Sequence, residues 1–423
     1  PEDQPPSSLF KHAHFKNPFK MKLVFLVSLP LLAHSYLSTS RIFDQFRQKF
    51  HKAYPSAAEL DYRRRVFEYN VQLIEQANRM HDPYCPNSAE CLLKEAGYGA
   101  QETDLTLRFA LNDNADLTQS EFASQYLMTA RAHSAWSQPM QAHSGFYPAQ
   151  PKGFWPSRVL PQTWPGSHAQ QPQPAAAQVD HSVHFQGYKI KNQRNCGACW
   201  AASAATVVEM AHYLAHSSLV YLSYQELLDC CTQGSLGCSG GQAVEALEYI
   251  QQRGVLYEQY LPYEARQGAC SPVPRAQGSL SSLLTHPRRA WHTLTRPAAA
   301  AEPGATRYFG VRQIIPLGAG VEAIVRALAR NAVIISINTS PLLRFYSSGV
   351  FESADCRSGV TDHHLVAVGY NLGGPRPYLK VLNSWGATWG MGGYGLVAVY
   401  TAGPRMTSVC GLDTDPANYQ VEV

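Results

Sequence analysis

The chain carries little charge and no long apolar run, and each absence excludes a class of protein. Only 16% of its 423 residues are charged, and the formal net charge of +4 is spread along the chain. No basic block is present, so neither a nucleic acid nor a membrane surface is indicated as a partner. After residue 35, no segment reaches the about 20 consecutive apolar residues that a membrane-spanning helix needs. We therefore expect no membrane span. The apolar fraction of 45% is large enough for the chain to bury a core.

The early apolar run is too short to cross a bilayer and is typical of a secretory signal peptide. A basic start at Met21-Lys22 is followed by an apolar core of about a dozen residues and a small-x-small cleavage pattern ending at Ser35. We expect residues 21–35 to be the signal peptide, and residues 1–20 to be an upstream segment that is not part of the natural protein. Secretion would allow the ten cysteines to form disulfides, whose connectivity spacing alone does not determine.

The stretch Gln-Arg-Asn-Cys-Gly-Ala-Cys-Trp, from Gln193 to Trp200, is the most informative in the chain. It sets Cys199 at the start of a segment typical of a helix, and a helix N-terminus stabilises an anion. A cysteine there can be a thiolate at neutral pH, which is its nucleophilic form. Gln193 can donate a hydrogen bond nearby. On these residues alone, a Cys-x-x-Cys metal or redox site remains an alternative.

A nucleophilic cysteine needs a histidine that a third group orients. His363 and His364 open an apolar run with the character of a buried strand, and Asn383 ends a second such run in an Asn-Ser-Trp-Gly turn. Adjacent side chains of a strand point to opposite faces, so only one of the two histidines can face the cysteine. The other histidine is then expected to be a satisfied or partly exposed strand residue.

These segments resemble the papain family of cysteine peptidases, whose nucleophile signature the run from Cys196 to Trp200 matches. By this resemblance the family's Asp-His pattern falls on His363, and Trp385 corresponds to the tryptophan that shields the histidine–asparagine bond. The Gly-Cys-Ser-Gly-Gly stretch matches the glycines that pair with an extended substrate, although glycines after a cysteine can also form a simple turn. The implied site comprises catalytic Cys199, His363 and Asn383, oxyanion-hole Gln193, and substrate-binding Gly240, Gly241, Gln242, Ala243, Thr361, Asp362, Trp385 and Asp415.

The resemblance also gives Asp415 a role in selectivity. It is the fifth residue after Cys410, a position that in this family tends to lie at the far end of the S2 pocket. A carboxylate there could pair with an Arg or Lys at P2 of the substrate, and such a charge-assisted contact is stronger than a neutral one. The alternative is that Asp415 is an exposed surface acid.

The same resemblance implies a pattern of disulfides that leaves Cys199 free. The implied pairs are Cys196 with Cys238, Cys230 with Cys270, and Cys356 with Cys410. Cys231 is left over, either as a free thiol or exchanging roles with Cys230. Cys85 and Cys91 are close enough in sequence to close a local loop.

A helical stripe precedes the peptidase segment. Six residues recur at helical spacing and fall within about 100° of one another: Glu59, Arg63, Phe67, Asn70, Ile74 and Asn78. Any amphipathic helix would show this period, but the identities resemble the signature of propeptides of cathepsin L-like enzymes. Residues 109–118 partly match a second propeptide motif, with Ala110 in place of its glycine and Asn114 in place of its aromatic residue. The resemblance thus implies a helical inhibitory propeptide over residues 36–130.

The domain order follows from composition and spacing. Residues 131–178 are rich in Pro, Gln, Ala and Ser, which is typical of a linker, and by the resemblance this is where the propeptide is cut. The peptidase domain is then 179–423. Because the separations of Cys199 from His363 and Asn383 exceed the about 130–150 residues of the family, we expect an insertion at about 271–307.

The expected fold class is α+β. The resemblance implies a two-lobe fold with a helical left lobe and an antiparallel, β-barrel-like right lobe, and with Cys199 and His363 meeting across a cleft. Within it, Cys199 to Ser217 predicts the central helix, Tyr224 and Gly241 begin shorter helices, and the segment from Tyr308 onward predicts antiparallel strands.

The implied function is a cysteine endopeptidase made as a zymogen, which forms a thioester acyl-enzyme and needs no metal or organic cofactor. Its implied partners are protein and peptide substrates, its own propeptide and cystatin-type inhibitors, and its location is the secretory pathway, in a lysosome or vacuole or outside the cell. One alternative is a catalytically silent papain-fold binding protein. A zinc module is another, although no Cys-x-x-Cys pair recurs at ligand spacing.

Overall fold

The fold is described from a computed structural model, over residues 41–81, 105–128, 176–232, 234–270, 308–353, 356, 361–401, 405–412, 414–415 and 417–423. Several predicted features lie outside the described residues. They are the upstream segment 1–20, the signal peptide 21–35, the linker up to residue 175, the insertion at about 271–307, and Cys85 with Cys91. No helix within the described ranges is long and apolar enough to span a membrane.

The N-terminal part is mainly helical. Residues 41–49 form helix α1, and the elements that follow are α2 (Ala57–His81), β1 (Arg108–Phe109) and α3 (Gln119–Tyr126). The predicted stripe lies on α2, where Phe67, Asn70, Ile74 and Asn78 are buried. The Phe67 ring packs against two phenylalanines of α1, with centroids 5.2 and 4.8 Å away. The stripe therefore faces the core of the propeptide.

Helix α3 begins at a capping box, which fixes the turn that leads into it. The Thr118 hydroxyl accepts the amide of Glu121, and the Glu121 carboxylate accepts the amide of Thr118 at 2.8 Å. Both groups satisfy amides that would otherwise lack partners at a helix start. This turn sets the direction in which Tyr126 and the two residues after it leave the helix.

The helical lobe is built around α4 (Cys199–His216), with α5 (Tyr224–Cys230) and α6 (Ala243–Arg253) beside it. Every residue of α4 from Cys199 to His212 is buried, because its many small side chains allow neighbours to approach on all sides. It ends at Ser217, whose φ of +53° is left-handed and does not continue a helix. The predicted central helix is thus present and is one residue shorter.

The second lobe is a nine-stranded sheet. Its strands are β2 (Gln178–Asp180), β5 (Gln313–Pro316), β6 (Val333–Ile337), β8 (Val350–Phe351), β9 (His363–Asn371), β10 (Tyr378–Leu382), β11 (Tyr394–Tyr400), β12 (Thr407–Ser408) and β13 (Tyr419–Glu422). The order is β12-β11-β10-β9-β6-β13-β5, with β2 added to β9 and β8 to β11. All pairs are antiparallel except β8 with β11. Two short pairs lie apart: β3 (Val255–Leu256) with β4 (Tyr308–Phe309), and β1 with β7 (Tyr346–Ser348).

The antiparallel strands predicted after Tyr308 are present, and one segment among them is helical. Residues Val321–Leu328 form helix α7, whose apolar residues at helical spacing pack under the sheet. The helix is only eight residues long and lies between strands. Its helical period was therefore hidden by the strand-like composition of the residues around it.

Strand β9 divides two cores and thereby positions the cleft. Leu365 and Ala367 belong to the core that the β lobe shares with the propeptide, whereas Val366 and Val368 belong to the core around α4. Because side chains alternate along a strand, the first residues of β9 face different sides of the boundary between the lobes. His363 and His364 are those first residues.

Candidate active site

Cys199 is the first residue of α4, and its side chain is fully buried and free of any disulfide. The loop before it is closed by the Cys196–Cys238 disulfide and by a 2.8 Å hydrogen bond from the Gly197 amide to the Cys238 carbonyl. A Cβ at position 197 would lie only 2.6 Å from that carbonyl oxygen, so the approach requires glycine. The loop therefore fixes where α4, and with it the thiol, begins.

His363 begins β9 and is oriented by Asn383. Its Nε2 lies 2.8 Å from the Asn383 Oδ1, and the Trp385 ring stacks on the imidazole with centroids 4.6 Å apart. Its Nδ1 is buried and has no hydrogen-bond partner among the described residues. Helix α4 packs against β9, and hydrogen bonding from the His364 backbone acts to lower the pKa of the Cys199 thiol, so the start of β9 lies beside Cys199. Nδ1 is thus the imidazole nitrogen left for proton transfer.

His364 points to the opposite face of β9, as the alternation of a strand requires. Its Nδ1 lies 3.0 Å from the Ser336 hydroxyl on the paired strand β6, and its side chain is buried. Asn383 therefore orients His363. This is the histidine to which the family resemblance gives the catalytic role.

The Gln193 side chain is fixed from both ends. Its Oε1 accepts the Ser384 hydroxyl at 2.7 Å, and its Nε2 donates to the Cys196 carbonyl at 2.9 Å. The same Nε2 donates to the carbonyl of Tyr126, at the end of propeptide helix α3, at 2.8 Å. A donor that could hold an oxyanion is therefore occupied by a backbone carbonyl of the propeptide.

The propeptide continues through the cleft after Tyr126. The Met128 amide donates to the Asp362 carbonyl at 2.9 Å, and a Cβ at Gly240, whose φ is +119°, would lie 3.0 Å from the Met128 Cβ. A Cβ at Gly241 would lie 2.6 Å from the ring of Trp200. Glycine at position 240 thus lets the chain at Met128 lie close, and glycine at position 241 leaves room for the buried Trp200 ring.

Burial under this cover changes the charge state of the pair. Burial raises the pKa of the Cys199 thiol to about 12 and lowers the pKa of the His363 imidazole to about 3. Loss of solvent penalises the charged form of each group. The thiolate predicted from the helix N-terminus is therefore not favoured in the covered site, where both groups are neutral at pH 7.

The structure brings together Thr361 and Asp415, two of the residues predicted to bind substrate. The Thr361 hydroxyl donates to one carboxylate oxygen of Asp415, and the other oxygen accepts the Ala417 amide at 2.6 Å. Asp415 is half-buried. Gln242 and Ala243 lie at the N-terminus of α6, where the Gln242 amide donates to Ser235.

Asp362 directly precedes His363. Its carboxylate accepts the Thr339 amide at 2.7 Å, and burial raises its pKa to about 6. Asp362 contacts the propeptide through its backbone carbonyl, so its carboxylate takes no part in that hydrogen bond.

The three implied disulfides are all present: Cys196–Cys238, Cys230–Cys270 and Cys356–Cys410. Cys231 is a buried free thiol. Because Cys196 is bonded to another cysteine, it cannot serve with Cys199 as a metal or redox pair. No cluster of three or more potential ligands among the described residues could hold a metal ion.

One functional contact was missed by the sequence analysis. Arg344 lies on the peptidase side, in the short 3-10 helix Leu343–Phe345, and its guanidinium donates to propeptide groups. The only signal was an arginine within the apolar run Leu-Leu-Arg-Phe-Tyr. That signal does not say what the arginine contacts.

Comparison with protein families gives two matches that together span most of the chain. Residues 175–418 match the family described as papain family cysteine protease. Residues 43–122 match the cathepsin propeptide inhibitor domain, I29. The first match covers more than half of the chain.

Individual relatives agree with these matches. Digestive cysteine proteinase 3 of Homarus americanus is 27% identical over 402 residues, which cover 94% of this chain and 98% of the relative. Procathepsin L of Mus musculus is 33% identical over 240 residues, covering 55% and 61% of the two chains. The structure of digestive procathepsin L 3 from the larval midgut of Tenebrio molitor superposes with a TM-score of 0.61 at 22% identity, covering 91% and 99%. This last likeness concerns the fold.

Proposed function

The chain belongs to the papain family of cysteine proteases, and from this premise we propose that it is a zymogen that cleaves peptide bonds through Cys199, His363 and Asn383. The observation that carries the proposal is the 2.8 Å His363–Asn383 hydrogen bond beneath Trp385, at the start of a strand that packs against the helix of Cys199. Orientation of the histidine by a third group is what nucleophilic catalysis by cysteine needs.

The chemistry begins when the cover leaves. Water then reaches the site, the penalty on both charges falls, and the thiol proton moves to Nδ1 of His363. The thiolate attacks the peptide carbonyl, and the resulting oxyanion accepts hydrogen bonds from Gln193 Nε2 and the Cys199 amide. One such donor is often worth about 3–4 kcal/mol in the transition state. His363 protonates the leaving amine, and water then hydrolyses the thioester.

Latency is proposed to come from the propeptide segment in the cleft. The Tyr126 carbonyl binds the oxyanion donor, and Met128 pairs with the backbone of Asp362 beside the catalytic histidine. A substrate cannot bind there until this segment leaves.

For the S2 pocket, we propose that Arg or Lys is tolerated at P2, with Asp415 as the charge that pairs with it. The support is that Thr361 orients the Asp415 carboxylate within a half-buried site. The proposed location is the secretory pathway, ending in a lysosome or vacuole or outside the cell. Relatives named as digestive cysteine proteinases favour a degradative role.

The test compares the unprocessed and the processed protein on a fluorogenic peptide and with a thiol-directed epoxide. The processed form should hydrolyse the peptide and be labelled at Cys199, and the unprocessed form should do neither at a comparable rate. Equal activity of both forms at every pH would exclude latency. A processed, folded protein that is never labelled would favour the catalytically silent binding protein.

A further inference from the structure

Arg344 is a cation of the peptidase domain that is buried against the propeptide. Only 1% of the residue is exposed. Its Nη1 donates to the carbonyls of Leu117 and Thr118 at 3.1 and 3.2 Å, and its Nη2 donates to Asn70 Oδ1 at 2.9 Å. All three acceptors belong to the propeptide.

The guanidinium has no ion-pair partner among the described residues. Burial lowers the pKa of Arg344 to about 10, so it keeps its charge at pH 7. The nearby Glu121 carboxylate is bound to Arg63. The rings of Phe345 and Phe122 lie 4.4 and 5.5 Å from the guanidinium carbon. A buried charge needs acceptors for its donors, and here the propeptide supplies acceptors to both Nη1 and Nη2. The Nε is buried without a hydrogen-bond partner among the described residues, so the charge depends on these three contacts.

The propeptide presents its acceptors in a fixed arrangement. Asn70 on α2 donates through Nδ2 to the carbonyls of Ala115 and Leu117, both at 2.9 Å. Its Oδ1 is thereby turned toward Arg344, next to the two carbonyls that precede α3. Helix and turn together form a neutral cup of three oxygen acceptors that matches the planar fork of an arginine.

We propose that Arg344 is the recognition residue by which the peptidase domain binds its own propeptide, through an uncharged cup of two backbone carbonyls and one side-chain amide. The inference rests on the proposed zymogen function and adds a second requirement to it. A segment that fills the cleft but lacks the cup leaves the charge of Arg344 without acceptors. It should therefore bind poorly.

Arg376 offers a matched control, because it is a second arginine of the peptidase domain that contacts the propeptide. Its Nη1 donates to the Leu105 carbonyl at 2.8 Å, but its side chain is 33% exposed and pairs with Glu352 at 2.7 Å. Water and Glu352 can satisfy this guanidinium when the propeptide leaves. Its contact should contribute much less to recognition.

The experiment measures how fast a thiol-directed epoxide labels Cys199 in the full, uncut chain, with chain length followed on a gel. Arg344→Met keeps the volume and apolar stem but leaves the cup unsatisfied. We expect labelling to accelerate about tenfold to a hundredfold, whereas Arg376→Met should change it by less than about threefold. After processing, both variants should match wild type in kcat/KM, because neither residue contacts the catalytic pair.

Two further variants keep the proposal falsifiable. Arg344→Lys keeps the charge without the fork and should label at a rate between those of wild type and Arg344→Met. Asn70→Leu should accelerate labelling less in the Arg344→Met chain than in wild type, because the two residues share one contact. Labelling of a folded Arg344→Met or Arg344→Lys chain at the wild-type rate would overturn the proposal. Loss of activity in the processed wild type would instead count against the proposed function.

Discussion

Two of the contacts between the propeptide and the peptidase domain differ in whether their residues are also proposed to act in catalysis. In the cleft contact, residues 126–128 meet Gln193, Gly240 and the Asp362 backbone. In the anchor contact, Asn70 and residues 108–118 meet the segment Leu343–Ser348, where β1 pairs with β7 and the Ala110 amide donates to the Phe345 carbonyl at 2.9 Å. The cleft contact occupies groups proposed for catalysis, and the anchor contact does not. Latency should therefore be separable from turnover only at the anchor.

The largest expected effects are those of substitutions at the proposed catalytic pair, Cys199 and His363. Cys199→Ala should lower kcat of the processed enzyme by about 10⁴-fold or more, because it removes the attacking sulfur, and His363→Ala should come close to that. His364→Ala should retain most activity, since its side chain lies on the opposite face of β9 and binds Ser336. The anchor contact should be intact in all three.

Steady-state kinetics on the processed variants measure the loss of activity. Thermal unfolding of the uncut chains tests whether the anchor contact is intact. The two histidines differ by one position in the same strand, so each is a control for the other. Greater loss in His364→Ala than in His363→Ala would mean that the strand register is off by one.

Gln193 should show the double role of the cleft contact. Gln193→Ala removes one oxyanion donor and should lower kcat about 10²- to 10³-fold. In the uncut chain it also removes the hydrogen bond to the Tyr126 carbonyl, so the unfolding temperature of the propeptide should fall. Arg344→Met is the comparison, because it should loosen the propeptide and leave kcat unchanged. A Gln193→Ala enzyme with full kcat would contradict the proposed oxyanion hole.

Selectivity at Asp415 is a smaller effect within the cleft. In wild type, kcat/KM for an Arg-Arg peptide should be comparable to that for a Phe-Arg peptide. Asp415→Ala should cost the Arg-Arg peptide about tenfold relative to Phe-Arg, the scale of one hydrogen bond to a charged group. Asp415→Asn keeps the size and serves as the control for packing. Unchanged selectivity in Asp415→Ala would remove Asp415 from the pocket.

The smallest expected effect is a pH dependence on the propeptide side of the anchor. Burial opposes ionisation of Glu121, but hydrogen bonds from Arg63 and the Thr118 amide lower its pKa overall. A carboxylate whose folded pKa is depressed stabilises the fold fully above its unfolded pKa, about 4.3. That contribution is lost as pH falls through the folded value. Acid should thus loosen this turn.

Thermal unfolding of the Cys199→Ala chain between pH 6 and 3 measures this effect without self-cleavage. Glu121→Gln should lower the unfolding temperature by a few degrees at pH 6 and flatten its dependence on pH. An equally steep dependence in Glu121→Gln would assign the acid sensitivity to other carboxylates.

The sequence predicted those parts of the molecule that local pattern specifies. The stripe of α2 and the start of α4 at Cys199 follow from spacing and residue identity, and the placing of His363 next to Asn383 follows from the family resemblance. Arg344 could not be predicted, because it meets Asn70 across 274 residues and nothing near either residue indicates the other. The neutral charge state of the catalytic pair also escaped prediction, since it arises from a cover contributed by a distant segment.

The disulfides have a consequence for how activation proceeds after the chain is cut. All three bridges lie within the peptidase domain, and none of the described bridges ties the propeptide to it. In the intact chain, the effective concentration of the propeptide at the peptidase domain is on the order of millimolar. One cut in the linker replaces that value with the actual concentration of released propeptide. Dilution, such as secretion into a large volume, then drives dissociation without any further cleavage.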